Sequence, residues 1–291
     1  MSETRKKVTI KTLQAMKKHE EKITWLTAYD YPTAQFAEAA GMDMLLVGDS
    51  LGMCVYGYEG TIPVTMDQCI VHCEAVRRAA PMAFVMGDMP FMSYQTSDED
   101  AVRNAGRFLK EAGVDAIKLE GGVRVVSRIK AILAAGIVVC GHIGLTPQSS
   151  GQLGGHKAQG RTVASAKLLI EDARAIEEAG AQLLLLEAVP PEVAGFIAKK
   201  LSIPVLSIGA GPNCDGQLLI VSDLIGQFQA FTPKFVKKYA NIAEVITNAM
   251  TEYIKEVKGG TFPTSEHCYY MLKGEDEKFK ELIKKDYGLA S

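Results

Sequence analysis

Three carboxylates stand at the ends of short apolar runs: Asp49 in MLLVGD, Asp88 in AFVMGD and Glu120 in AIKLE. Carboxylates brought together repel one another unless a cation or a proton intervenes. Hard oxygen donors suit Mg2+, which keeps several waters and takes only one or two carboxylates directly. The plainer alternative is that each acid caps a loop or pairs with an arginine. Lys118 and Glu120 lie two apart in one run, so their side chains share a face. Burying such a charged pair in an apolar strand is costly without a purpose. The chemical reading assigns Lys118 to an anionic substrate and Glu120 to the metal; the structural reading is an ion pair.

Glu187 closes LLLLE, one of the most apolar stretches of the chain. An apolar surround raises a carboxyl pKa and makes the group a better base near neutral pH, with a loop cap as the alternative. His142 in CGHIG either orients substrate or is a satisfied interior histidine. His72 with Cys69 and Cys73 has helix spacing that suits a metal, but no second ligand cluster accompanies it, so a plain helix face is expected. SIGAGPN offers backbone N–H groups to an anion without the strict phosphate-loop spacing.

The elements that carry these residues repeat. FAEAAGMDMLLVGD (36–49), FLKEAGVDAIKLE (108–120) and AIEEAGAQLLLLE (175–187) each run from a helical end through Gly to an apolar run and an acid. Gly41, Gly113 and Gly180 fit the position after a helix, where positive φ is needed. Weaker copies end on Asp88 and His142. Eight strands are expected, at about 23–29, 43–48, 83–87, 115–119, 137–141, 182–187, 203–208 and 217–222, with helix-length segments between most of them.

Alternating buried strands and helices imply a parallel sheet. Eight strands without a GxGxxG turn favour an α/β (β/α)8 TIM barrel over an open doubly wound sheet. GAGPNCDG, between the last two strands, is too short for a helix. In such barrels the active site lies at the C-terminal strand ends. The polar residues there are Asp30, Asp49, Ser50, Asp88, Lys118, Glu120, His142, Glu187 and Asp223. The long Gly-rich segments 48–67 and 144–161 are expected to be loops at that rim. Residues 1–272 are read as one barrel domain with an N-terminal arm, and 273–291 as a charged tail.

Composition narrows the function classes. With 32 Lys and Arg against 34 Asp and Glu, the chain lacks the basic surplus of a nucleic-acid binder. No apolar run approaches the ~20 residues of a membrane span. The N-terminus has no signal-peptide pattern, and six cysteines are too sparse for a disulfide framework, so a reduced cytoplasmic protein is expected.

The motifs LVGDSLGM, TIPVTMD, DMPFMSY, KLEGG, GHIGLTPQS, GGHKAQGR, LLLEAVP, SIGAGPNCDGQ and PKFVKKY occur in one order between about residues 8 and 267. This series resembles the ketopantoate hydroxymethyltransferase family. The resemblance implies a Mg2+-dependent barrel enzyme of pantothenate biosynthesis. Its expected reaction moves a one-carbon unit from 5,10-methylenetetrahydrofolate to 3-methyl-2-oxobutanoate, giving 2-dehydropantoate and tetrahydrofolate. It further implies metal-site acids at Asp49, Asp88 and Glu120, substrate contacts at Asp49, Ser50, Asp88 and Lys118, a proton acceptor at Glu187, and a homodecamer. A Mg2+-dependent lyase or mutase acting on another small 2-oxo acid is the nearest alternative, because the same acids would serve an enolate. A barrel acting only as a scaffold is the more distant one.

Overall fold

A computed structural model describes residues 5–288. All eight expected strands are present: β1 Ile23–Thr27, β2 Met44–Val47, β3 Phe84–Asp88, β4 Ala116–Glu120, β5 Val139–Gly144, β6 Leu183–Glu187, β7 Val205–Ile208 and β8 Gly216–Leu219. They pair in sequence order, all parallel, and β8 closes on β1 to complete the barrel. Helices Met66–Ala79, Asp98–Lys110 and Val163–Glu178 occupy the expected intervals. Gly41, Gly113 and Gly180 all take positive φ, at 86°, 66° and 99°. No helix separates β7 from β8, as the shortness of that connection requires.

Side-chain alternation sorts each strand into two sets. Val85, Ile117, Leu119, Val139, Leu184 and Leu186 point outward into the layer shared with the helices. Phe84, Met86, Ala116, Cys140, Leu183 and Leu185 fill the barrel interior. The interior set continues upward as Asp88, Lys118, Glu120, His142 and Glu187, so the apolar filling gives way to charge at the C-terminal ends. Gly87 faces outward, where a Cβ would lie 2.4 Å from Phe108 Cδ1. Its missing side chain lets helix Asp98–Lys110 seat against β3, one residue below Asp88.

The opposite end is closed by the N-terminal arm. Helix Ile10–Lys18 starts at a capping box between Thr9 and Thr12 and buries Leu13 and Met16 among the interior residues. Lys7 and Arg77 both pair with Asp115, and Lys17 pairs with Asp215, locking the arm to the strand starts. Chain contacts define one compact unit through Ala240 and a second from Asn241. The division thus comes before the tail start expected at 273. The second unit contains helices Ile242–Gly259 and Glu275–Tyr287. Among the described residues no helix is long and apolar enough to cross a membrane.

Candidate active site

The C-terminal rim opens into a cavity of about 1230 Å3 whose walls include Asp49, Ser50, Asp88, Lys118, Glu120, His142 and Glu187. Seven of the rim residues expected from the sequence therefore line one cavity. Strand stagger sets their depths. Asp88 is level with Lys118, Glu120 with His142, and Glu187 with Gly144 one step higher. Asp49, Asp88, Lys118, Glu120 and His142 are all buried. The Glu187 side chain keeps 16% exposure, so its carboxyl faces the cavity even though Leu183–Leu186 below it are core.

The charged groups are linked. Lys118 Nζ lies 2.8 Å from Asp88 Oδ1 and 3.4 Å from His142 Nδ1. The other Asp88 oxygen accepts the Asp49 backbone N–H at 3.0 Å. His142 sits between two carboxylates, with Nδ1 3.4 Å from Glu120 and Nε2 3.2 Å from Glu187. Ser50 Oγ shares a 2.8 Å hydrogen bond with the Tyr29 hydroxyl. Lys118 and Glu120 thus combine both sequence readings: an ion pair exists, but Lys118 makes it with Asp88, and the pair lines the cavity.

Burial raises the Asp88 carboxyl; Lys118 opposes the rise and Asp49 and Glu120 add to it, leaving it at about 7. Burial alone would lower the Lys118 ammonium, but Asp88, Glu120 and Asp49 outweigh it and hold the pKa above its usual range. Burial and Lys118 both press His142 toward neutrality, yet Glu120 and Glu187 carry it up to about 9. Cys140, level with Lys118 on the next strand, is pushed up to about 12 by burial and so remains a thiol.

Four carboxylates face one lysine and one histidine here, so the cluster stays anionic even with His142 protonated. Asp88 Oδ1 and Glu120 Oε1 are buried beside Lys118 and His142 without a well-directed hydrogen bond. Hard oxygens with surplus negative charge around them fit a divalent cation such as Mg2+. Among the described residues no three His, Cys, Asp or Glu side chains already surround one point.

Two buried residues were not singled out from the sequence. Gln148 donates from its side-chain amide to Asp49 (2.9 Å) and to the Met89 carbonyl (2.9 Å), and from its backbone N–H to Glu120 (3.1 Å). Its amide oxygen accepts from the Tyr94 hydroxyl at 2.7 Å, and that hydroxyl accepts the Glu120 backbone N–H at 3.1 Å. One glutamine therefore fixes the acids of two strand ends. Both residues lie inside motifs already noted, DMPFMSY and GHIGLTPQS, but nothing local marks their reach. Asp30, at the rim by sequence, instead caps helix Tyr31–Ala39 through Thr33 N–H at 2.8 Å. His72 bonds Tyr56 and the Tyr29 carbonyl, while Cys69 and Cys73 lie in the core, so that trio is structural.

A model of the ketopantoate hydroxymethyltransferase family matches residues 7–265. The 3-methyl-2-oxobutanoate hydroxymethyltransferase of Alkaliphilus metalliredigens is 68% identical over 278 residues, 96% of this chain and 98% of the relative. That of Moorella thermoacetica is 56% identical over 265 residues, 91% and 98% of the two chains. Among solved structures, phosphonopyruvate hydrolase in complex with oxalate and Mg2+ aligns with a TM-score of 0.59 at 14% identity, covering 96% of this chain and 99% of the other. A 2,3-dimethylmalate lyase of the PEP mutase/isocitrate lyase superfamily aligns at 0.58 with 20% identity, covering 95% and 98%. These structural likenesses show the shared barrel fold. The sequence matches reach further: the chain is an enzyme of pantothenate biosynthesis and belongs to the ketopantoate hydroxymethyltransferase family.

Proposed function

We propose that the chain transfers the one-carbon unit of 5,10-methylenetetrahydrofolate to C3 of 3-methyl-2-oxobutanoate. One water is consumed, and 2-dehydropantoate and tetrahydrofolate leave. The observation that carries this reading is the linked cluster at the closed end of the cavity, where Lys118, three buried acids and the His142–Glu187 pair converge. The family's name supplies the substrate, and the cluster supplies groups that match its chemistry.

Asp49, Asp88 and Glu120 are the residues that would hold Mg2+, one or two directly and any other through water. Bound there, Mg2+ acts as a Lewis acid toward the keto and carboxylate oxygens of the 2-oxo acid. Lys118 places positive charge beside the same oxygens and stabilises the negative charge that grows on them as C3 loses its proton. Asp49, Ser50 and Asp88 line the substrate position. Glu187 takes the proton. His142 Nε2 stands 3.2 Å from that carboxylate, a charge contact beside the base. The C3 carbanion equivalent then attacks the methylene carbon carried by the folate.

The decisive assay combines purified protein, both substrates and Mg2+ and measures 2-dehydropantoate. Product is expected only when folate is present, which separates this reaction from a lyase or mutase. Chelation should abolish activity and Mg2+ should restore it; full turnover in metal-free buffer would sink the metal assignment.

The decamer implied by the family belongs to the same proposal. Phe36 and Val71 are 74% and 63% exposed on adjacent helices, a surface suited to contacts between copies. A sedimentation mass of one or two subunits at micromolar protein would contradict it. A cytoplasmic setting accords with six free cysteines.

A further inference from the structure

The cavity has a second half that the chemistry above does not use. It lies at the β7, β8 and β1 ends and contains Asp223 and the segment that follows it, with Phe228, Phe231, Lys234, Phe235 and Lys237 in the wall. Asp223 is 6% exposed, yet among the described residues no cation lies within 4.0 Å of it and no donor bonds its carboxylate. Its carboxylate oxygens are not sealed in the core but open to the cavity, where a ligand's donors can reach them. It also faces away from the role of the other acids, since Lys118 and the Asp88–Glu120 cluster stand at the β3 to β5 ends.

The aromatic wall is built, not incidental. Phe228 and Phe231 meet edge to face with ring centroids 5.4 Å apart. Phe235 lies on Gly209 at the end of β7, where φ is +69° and a Cβ would come within 2.5 Å of the ring. Any side chain there would push Phe235 off the rim. Lys234 and Lys237 follow on the same segment, with Lys237 Nζ 4.7 Å from the Tyr239 ring centroid.

The two halves suit different ligands. A small anionic 2-oxo acid is repelled by Asp223 and drawn to Lys118. The second half offers one acceptor pair, apolar aromatic walls and lysine charge. Those features match a 2-amino-4-oxopyrimidine ring, whose adjacent ring N–H and exocyclic NH2 fit both oxygens of one carboxylate. They also match an aryl linker beyond the ring and carboxylates at the far end.

We propose that Asp223 anchors the pterin ring of the reduced folate, with Phe228, Phe231 and Phe235 covering its body and Lys234 and Lys237 meeting its glutamate carboxylates. The proposal rests on the reaction given above and assigns the co-substrate's place within it. Burial keeps the Asp223 carboxyl above its ordinary pKa, with Lys238 opposing, and pairing with two donors offsets that burial.

The test is a split in Michaelis constants. In Asp223→Asn and Asp223→Ala the KM for 5,10-methylenetetrahydrofolate should rise by about 10–100-fold, the loss expected for one charged hydrogen-bonded pair. The KM for 3-methyl-2-oxobutanoate should move by no more than a few-fold, and Asp223→Glu should recover part of the folate affinity. As a second probe, 2-desamino-2-methyltetrahydrofolate should bind the wild type more weakly than tetrahydrofolate, with the difference lost in Asp223→Ala. This probe keeps the proposal falsifiable on wild-type protein alone if a variant does not fold. Folate-dependent turnover with an unchanged folate KM in both variants, or equal wild-type binding of the two folates, overturns the anchor and leaves the reaction standing. Absence of any tetrahydrofolate binding by the wild type overturns both.

Discussion

The β2 to β6 ends and the β7 to β1 ends of the same barrel follow opposite designs. The first half is closed and over-determined. Asp88 is held by Lys118 and the Asp49 N–H, Glu120 by Gln148 N–H, and His142 lies between Glu120 and Glu187. The second half is open, with Phe231 52% and Phe235 36% exposed and a single carboxylate without a protein partner. Groups that develop or move charge must be pre-aligned before the reaction, because reorganisation at the moment of transfer costs rate. A half that only has to receive a large flat ligand needs area and a few polar contacts. Substitutions in the closed half should therefore strike kcat, and those in the open half KM.

The largest effect is expected at the base. Glu187→Gln should lower kcat by about 10²–10⁴-fold, the range for a positioned general base, while the 2-oxo acid still binds. Exchange of the C3 proton of 3-methyl-2-oxobutanoate into D2O, followed by NMR without folate, reads the same step. Wild-type exchange in the variant would move the C3 base to another residue.

Next comes Lys118→Ala, which removes a buried cation from beside three carboxylates. It should cost about 2–4 kcal/mol in kcat/KM for the 2-oxo acid, typical of one preorganised charged donor. Because Asp88 loses its ion pair as well, the thermal midpoint should fall too. Unaltered kinetics with a lowered midpoint would make Lys118 purely structural.

Gln148→Leu keeps the volume and removes the amide that aligns Asp49. By analogy with lost orienting partners at metal sites, affinity for Mn2+, titrated by electron paramagnetic resonance, should drop about 10–100-fold. Affinity equal to that of the wild type would show that the acids hold their positions without it.

The smallest effect belongs to the open half. Phe231→Ala should raise the folate KM by about three- to tenfold, the scale of one partly exposed aromatic contact, and leave kcat nearly unchanged. A fall in kcat of the size expected for Glu187→Gln would erase the distinction between the halves.

Much of the closed half was legible because barrel periodicity is local. Helix, glycine, apolar run and acid recur in the sequence, and a strand's alternation puts Lys118 with Glu120 on one side wherever the strand ends up. Strand ends in a parallel barrel share one rim, so Asp49, Asp88, Glu120 and Glu187 could be grouped without coordinates. The open half was legible only at Asp223. Phe228, Phe231 and Phe235 follow the last strand with no periodic pattern, and only the resemblance drew attention to PKFVKKY.

What the sequence alone determined is thus the barrel, the rim and the residue types that meet there, since these follow from short-range patterning of apolar and charged side chains. What the tertiary structure decided is who pairs with whom. Lys118 chose Asp88 over Glu120 because strand stagger sets those two level. Asp30 left the rim to cap a helix, and Gln148 reached Asp49 across 99 positions of chain. Phe235 came to rest on Gly209 because only a residue without a Cβ leaves room for the ring. Each of these depends on distances between segments far apart in sequence, which packing fixes and no local pattern encodes.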